Sequence, residues 1–317
     1  MRTEPVTAFA PGGVGNIGPG LDILGLAVAG AGDEVRAEWT REPGIQVRDP
    51  GDPSLPRDPA RHTAALAARA VLAAAGERLQ GRGIALTVRK GLPLSGGQGG
   101  SAASAVAGAV AANALLGAPL DRAGLLAACL VAEETVAGRH LDNIAPSLLG
   151  GIVLIRCMEP TDIVELPVPE ELTVVLVRPE QTLRTADARA VLPVTVLRDI
   201  AIHQAAQVGA IVAALARSDY ELLGRAIDDR IAEPVRASLL PGFTEAKAAA
   251  LGAGALGSSI SGSGPTAFAL TRGPAVAGRV AEAMVAAYAA AGHRAAARVA
   301  PVDRVGARLL EDTGGTR

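Results

Sequence analysis

From Gly91 to Leu120 the chain carries no charged side chain. An uncharged stretch of that length either crosses a bilayer or lies inside a folded protein. Its first part decides between the two. GLPLSGGQGGS sets Gly91, Gly96, Gly97, Gly99 and Gly100 among Pro93, Ser95 and Gln98, a composition suited to a loop. The second part, from about Ser101 to Leu116, is almost wholly alanine, valine and leucine, and reads as a helix stopped near Gly117-Ala118-Pro119. That helix is apolar on every side, so it requires burial. A chain of 317 residues with 49% hydrophobic content can supply the core, as one large domain or two smaller ones.

A glycine loop that opens a buried helix has a specific chemical use. The first helical N–H groups have no partners inside the helix, and the helix dipole makes that end positive. Such an end binds anions, phosphate chains above all. The plainer alternative is a glycine turn that joins a strand to a helix. Two familiar phosphate motifs are absent. No G-x-x-x-x-G-K-[ST] occurs, and Ala102 stands where G-x-G-x-x-G needs its last glycine. Two further glycine segments, Pro11 to Gly20 and Gly257 to Gly264, need explanation as well.

Periodicity and breakers give the rest of the chain. Strands are expected at Val6–Ala10, Val35–Trp39, Ile84–Arg89, Ile152–Arg156, Leu172–Val177, Ser263–Thr271 and Ala295–Pro301. Helices are expected at His62–Ala75, Asp121–Ala137, Val196–Ala216, Tyr220–Ile231, Gly242–Leu251 and Ala275–Ala291. Pro43 to Pro59 reads as a surface loop, and Gly314 to Arg317 as a frayed tail. Glu159 to Glu171 holds Pro160, Pro167 and Pro169, and is read as the boundary between domains at 1–158 and 159–317. Strands and helices do not alternate strictly, which favours an α+β fold. No internal repeat is visible.

Composition excludes several function classes. A net charge of −2 gives no attraction to nucleic acid or membrane, and 2% aromatic residues leave no base-stacking platform. Cys129 and Cys157 form no CxxC and read as buried, unpaired thiols. The start, MRTEPVTAFAPGG, lacks the apolar run of a secretory leader, so a cytoplasmic protein is expected. No His/Cys cluster has zinc-site spacing. His62, His203 and His293 have no motif and receive no role. Asp228-Asp229-Arg230 reads as an exposed charged face.

PLSGGQGGSAAS, from Pro93 to Ser104, resembles the ATP loop of the GHMP kinases. Five other segments resemble one branch of them, the homoserine kinases: GNIGPGLDILGLAV, GRHLDNIAPSLLGGI (Gly138–Ile152), RTADARAVLP (Arg184–Pro193), IAEPVRASLLPGF (Ile231–Phe243) and SSISGSGPTAFAL (Ser258–Leu270). All stand in family order and cover almost the whole chain. The resemblance implies a two-domain GHMP kinase fold, with the ATP loop and active site between the domains. It implies transfer of the ATP γ-phosphate to the hydroxyl of L-homoserine, on the way to threonine, with ATP and Mg²⁺ as cofactors. Homodimers are common in the family.

Carried over by position, the resemblance assigns the ATP phosphates to Pro93, Leu94, Ser95, Gly96, Gly97, Gln98, Gly99, Gly100, Ser101, Ala102 and Ala103. Ser101 would ligate Mg²⁺ with Glu133 or Glu134, of which Glu133 has the better spacing. Asn16, Asp22, His140, Asp142, Arg236 and Gly262 would line the amino-acid site. Asp22 and Asp142 can accept hydrogen bonds from an ammonium, and Arg236 can grip a carboxylate. Thr185 would sit near the transferred phosphate, and Gly264 would help close the floor. Asp142 is a candidate general base, although in-line attack with no discrete base fits equally.

Three positions depart from the family. Gly100-Ser101 replaces Ser-Ser after the loop, Val14-Gly15 replaces Ser-Ala before the first asparagine, and no arginine occurs around Ala205 to Gln207. The last leaves the carboxylate clamp to Arg236. Another GHMP kinase, acting on mevalonate, a sugar or a diphosphocytidyl alcohol, would leave His140, Asp142 and Arg236 unexplained. A non-catalytic regulatory protein on the same fold is the third reading.

Overall fold

The computed structural model describes residues 2–76, 81–136 and 138–311. In chain order the first half runs β1 (Val6–Gly15), β2 (Leu24–Thr40), β3 (Gly44–Asp49), α1 (Thr63–Ala74), β4 (Gly83–Arg89), α2 (Gly100–Leu115), α3 (Arg122–Val136), α4 (Ile144–Leu149), β5 (Ile152–Met158) and β6 (Thr161–Leu166). The second half runs β7 (Leu172–Pro179), α5 (Thr185–Ala190), α6 (Arg198–Arg217), α7 (Tyr220–Ala226), α8 (Glu233–Ala237), α9 (Phe243–Gly252), β8 (Gly257–Ile260), β9 (Ala267–Arg272), α10 (Pro274–Ala290), β10 (Ala295–Pro301) and β11 (Arg308–Leu310).

These elements make two sheets. A seven-stranded sheet has the order β11-β1-β2-β4-β3, with β5 on β2 and β6 on β5. A four-stranded antiparallel sheet has the order β10-β7-β9-β8. Among the described residues, only β3 and β4 pair in parallel. The fold is α+β, as the sequence implies.

Three apolar clusters hold it together. One packs α1, α2 and α3 on the first sheet, and one packs α9 and α10 on the second. The third joins Val14, Leu24 and Leu26 of the first half to Leu172, Val174, Phe268 and Leu270 of the second. The halves therefore share a core. Inside the first cluster lies α2, where every residue from Ala102 to Leu115 except Val110 is buried. The uncharged stretch from Gly91 is thus a loop and a core helix.

Several expectations need correction. β1 continues past Ala10 through Pro11-Gly12-Gly13 to Gly15, with a register shift between Pro11 and Gly13 that lets a proline and glycines stay in the strand. β2 begins at Leu24, well before Val35. The expected loop at Pro43–Pro59 contains β3, whose Ile45 and Val47 face the core. The expected strand at Ser263–Thr271 begins only at Ala267, after a turn, and β8 precedes it. The expected helix at Tyr220–Ile231 ends at Ala226, before a turn and the short α8. Asp229 is 7% exposed and caps α8, which removes it from the charged face it was assigned to. Both cysteines are free, but only Cys129 is buried. The 158/159 boundary falls inside the β5–β6 hairpin of the first sheet. Pro167–Glu171 follows β6 and leads into the second sheet. Ala137 and the tail from Gly314 lie outside the described residues.

One helix among the described residues, α6, is long and apolar enough to cross a bilayer by length and composition.

Candidate active site

A cleft of about 560 Å³ opens at the N-terminal end of α2, where the two halves meet. The Gly-rich loop forms one wall. Ser95, Gly97 and Gly99 all have left-handed backbones, with φ of 49°, 70° and 69°. At Gly97 the reason is proximity. A Cβ there would stand 2.6 Å from the Gly264 carbonyl oxygen and 2.7 Å from that of Ser261, so no larger residue fits without moving backbone. The loop is clamped from both sides. The Gly13 amide donates to the Gln98 carbonyl at 3.1 Å. From the second half, Thr266 Oγ1 donates to the Gly96 carbonyl at 2.5 Å and Ser261 Oγ to that of Gly97 at 2.6 Å.

Gly99 is the N-cap of α2, and no side chain caps the helix. Its first amides are available to an external anion. Beneath this turn Lys90 is ion-paired with the buried Asp33. The same ammonium donates to the Gly100 carbonyl at 3.0 Å and to Ser104 Oγ at 2.9 Å. The lysine fixes the first turn of α2 and lines the cleft. Nothing in the sequence singled it out except its place directly before the loop.

On the opposite wall, Glu133 of α3 is 6% exposed, while Glu134 faces solvent. Burial, then the nearby Asp142, pushes the Glu133 carboxyl up to about 7, against a hydrogen bond from Ser101. Its Oε2 is buried with no hydrogen-bond partner. Asp142, 3% exposed, is likewise pushed up to about 7 by burial and by Asp22. Two buried carboxyls facing one cleft, one with an unpartnered oxygen, call for a cation. A hydroxyl and a carboxylate are the oxygen donors a hard divalent ion takes. Ser101 and Glu133 therefore fit Mg²⁺. No group of three or more His, Cys, Asp or Glu suited to a metal occurs among the described residues.

The third wall carries the remaining charges. Asp22 sits in a turn with φ of 62°, and Asn16 opens that turn with φ of 67°, a conformation Asn and Asp tolerate better than most residues. The Asp22 carboxylate takes two hydrogen bonds from Arg189, at 2.7 and 3.2 Å, and His140 Nδ1 lies 3.4 Å away. Burial raises the Asp22 pKa, but Arg189 and His140 outweigh it and hold the group below its usual range. His140 is held below its ordinary value by burial, against the pull of Asp22. Arg236, 2% exposed, donates to the carbonyls of Ala188 at 3.1 Å and Gly262 at 3.0 Å. Thr185 Oγ1 and Ser263 Oγ meet at 3.4 Å on the cleft edge.

Most of the expected residues come together here. Asn16, Pro93–Gly97, Gly99–Ser101, Glu133, His140, Asp142, Thr185, Arg236 and Gly262 all line the cleft. Gln98, Ala102 and Ala103 do not. Their side chains are buried, so they can reach a phosphate only through backbone. Asp22 reaches the cleft through Arg189 and His140. Asn16 is a brace, because Oδ1 accepts from the Asp22 amide at 2.8 Å and Nδ2 donates to the Gly262 carbonyl at 3.0 Å. Gly264 does not line the cleft but packs against the loop and Leu240.

No arginine stands near Ala205–Gln207, but Arg189 on α5, the first helix after β7, lines the cleft. Its Nε is buried without a partner. It lay inside a segment already noted, RTADARAVLP, but sequence alone did not mark α5 as a helix facing the cleft. Asn143, Ser263, Arg61 and His62 also line the cleft.

Family models match on both sides of the shared core: "GHMP kinases N terminal domain" over residues 62–151 and "GHMP kinases C terminal" over 211–290. A homoserine kinase of Chlorobium phaeobacteroides (strain BS1) is 42% identical over 323 aligned residues, covering 98% of this chain and 100% of that protein. The chain belongs to the GHMP kinases, in the homoserine kinase branch. A homoserine kinase of Arabidopsis thaliana is 41% identical, covering 98% of this chain and 87% of that protein. The crystal structure of a Cytophaga hutchinsonii homoserine kinase superposes with a TM-score of 0.93 at 38% identity, covering 98% of both chains. Membership in this branch extends across both walls of the cleft, the loop and the charged acceptor side alike.

Proposed function

We infer that this chain is an ATP-dependent homoserine kinase, which phosphorylates the side-chain hydroxyl of L-homoserine to O-phospho-L-homoserine. The observation that carries the reading is the Asp22–Arg189 pair, with Arg236 buried close by. An α-amino acid is a zwitterion. Its ammonium can take over the Asp22 carboxylate while its carboxylate takes over the guanidiniums of Arg189 and Arg236. Mevalonate and galactose have no ammonium, and would leave Asp22 and His140 without use.

The loop amides and the start of α2 receive the ATP phosphates. Ser101 and Glu133 would hold Mg²⁺, which when bound neutralises phosphate charge. The clamped acceptor presents its hydroxyl toward the γ-phosphorus. An oxygen–phosphorus bond forms as the bond to the β,γ-bridging oxygen breaks, and ADP leaves. Positioning supplies most of the acceleration in such transfers. Asp142, close to neutral pH in its titration, accepts a hydrogen bond from the hydroxyl and can take its proton as the transfer completes.

The test is ADP release from Mg·ATP with L-homoserine, mevalonate, galactose, L-threonine or no acceptor. Release that depends on homoserine is expected. Release with another acceptor alone would reassign the substrate, and no release despite ATP binding would favour a regulatory protein.

A further inference from the structure

Arg236 stands on α8, a helix of only five residues. A helix this short does not hold its own shape, so the backbone that carries Arg236 must be fixed from outside. Asp229 holds that backbone from the N-terminal side. Its Oδ1 accepts from the amides of Ile231 at 2.8 Å and Ala232 at 3.1 Å, and its Oδ2 from Glu233 at 2.8 Å. Asp229 is itself held by Gln204 of α6, whose Nε2 donates to Oδ1 at 2.8 Å. That same Nε2 donates at 2.9 Å to the carbonyl of Pro19, in the turn between Asn16 and Asp22. The other end of the side chain, Oε1, accepts from the Arg230 amide at 3.2 Å.

One buried amide thus ties the turn bearing Asp22 to the turn that leads into Arg236. Its setting shows that it is not ordinary packing. Along α6 from Arg198 to Ala210, Gln204 is the only buried residue. A position that served only the core would hold an apolar side chain. Next to it, His203 Nε2 contacts the Asp228 carboxylate at 3.0 Å and so supports the same turn.

We propose that Gln204 and Asp229 are positioning residues for the acceptor. They set the separation between the carboxylate that takes the ammonium and the guanidinium that takes the carboxylate. They do this without touching substrate and without bearing on the nucleotide wall. The proposal rests on the reading of the cleft as a homoserine site.

Steady-state kinetics on three variants test it. Gln204→Met keeps the volume and removes every hydrogen bond, and Asp229→Ala removes the cap. Each should raise the homoserine KM about tenfold or more, the expected scale for losing hydrogen bonds to a charged group, with the ATP KM within about twofold. Asp229→Asn keeps an acceptor oxygen and should return the homoserine KM most of the way to wild type. An unchanged homoserine KM in Gln204→Met overturns the proposal. So does an equal rise in both KM values, which is what general loosening of the fold would give. If Asp229→Ala does not fold, Gln204→Met and Asp229→Asn decide. Wild-type enzyme that does not turn over homoserine overturns the functional reading first and this proposal with it. Homoserine turnover by wild type with an unmoved KM in Gln204→Met overturns the proposal alone.

Discussion

The nucleotide wall and the acceptor wall of the cleft are built by opposite means. The wall proposed for the nucleotide is one contiguous segment, Pro93 to Ser101, whose backbone amides, backed by a buried helix, would do the binding. The acceptor wall is assembled from side chains on separate segments: Asp22, His140, Asp142, Arg189 and Arg236. Those charges hold one another in place as well as waiting for substrate. Backbone on a rigid support tolerates side-chain change and fails when backbone geometry changes. A charge network on short elements fails residue by residue. Substitutions should separate the two.

The largest effect is expected where the walls meet. Glu133→Gln and Ser101→Ala should each lower kcat by about 10²–10³-fold, the scale of losing one preorganised electrostatic group, with the protein folded. Near-normal turnover in either would remove that residue from the Mg²⁺ site. Glu133→Gln also has a pH signature. The Glu133 pKa in the folded chain, about 7, lies above its ordinary value of 4.5. The folded state therefore keeps a proton that the unfolded chain gives up, so stability present below about 4.5 is lost as pH rises through about 7. Without ligands, Glu133→Gln should melt higher than wild type at pH 8 and lose most of that advantage by pH 5. An advantage independent of pH would contradict the assigned ionisation.

On the acceptor wall, Arg236→Ala and Arg189→Ala should raise the homoserine KM by roughly ten- to a hundredfold, the range for truncating one partner of a buried charge pair. The ATP KM should hardly move. A matching rise in both constants would mean the walls are not independent. On the nucleotide wall, Gly97→Ala must force a left-handed alanine, about 1–2 kcal/mol from the backbone alone, against the Gly264 and Ser261 carbonyls. Calorimetry should show a lower Tm, and kinetics a higher ATP KM at an unchanged homoserine KM. The smallest effect belongs to Gly100→Ser. The added carbon would be 3.6 Å from Lys90 Nζ, in ordinary contact, on a backbone with no left-handed requirement. Turnover should stay within about twofold, since a substitution that creates no clash or strain is close to neutral. A large change would show that the residue usual in relatives matters to the loop.

The contrast also explains what was legible in the sequence. The loop and α2 were read nearly to the residue, because an apolar run bounded by glycine and proline carries its structure locally. The acceptor wall was read only in part. Asp22, His140, Asp142 and Arg236 came from resemblance, whereas Arg189 was missed because its role depends on α5 turning toward Asp22, a long-range fact. Asp229 reads in the sequence as a solvated charge because its cap partners and Gln204 meet it only in the folded chain. β3 hid in a stretch of proline, aspartate and glycine because only Ile45 and Val47 mark its buried face. β6 hid among prolines because its pairing with β5 comes from the sheet, with little local pattern to signal it.

The carbonyls of Gly96 and Gly97 accept their hydrogen bonds from Thr266 and Ser261, on the far half of the chain. The phosphate cradle is therefore a property of the docked pair of halves, although every residue in it belongs to the first. Heat or denaturant that separates the halves should abolish nucleotide binding in the same step that exposes the shared core. In an exchange of C-terminal halves between two such kinases, the incoming half would have to present hydroxyls in the places of Ser261 and Thr266, or the nucleotide loop would lose its clamp.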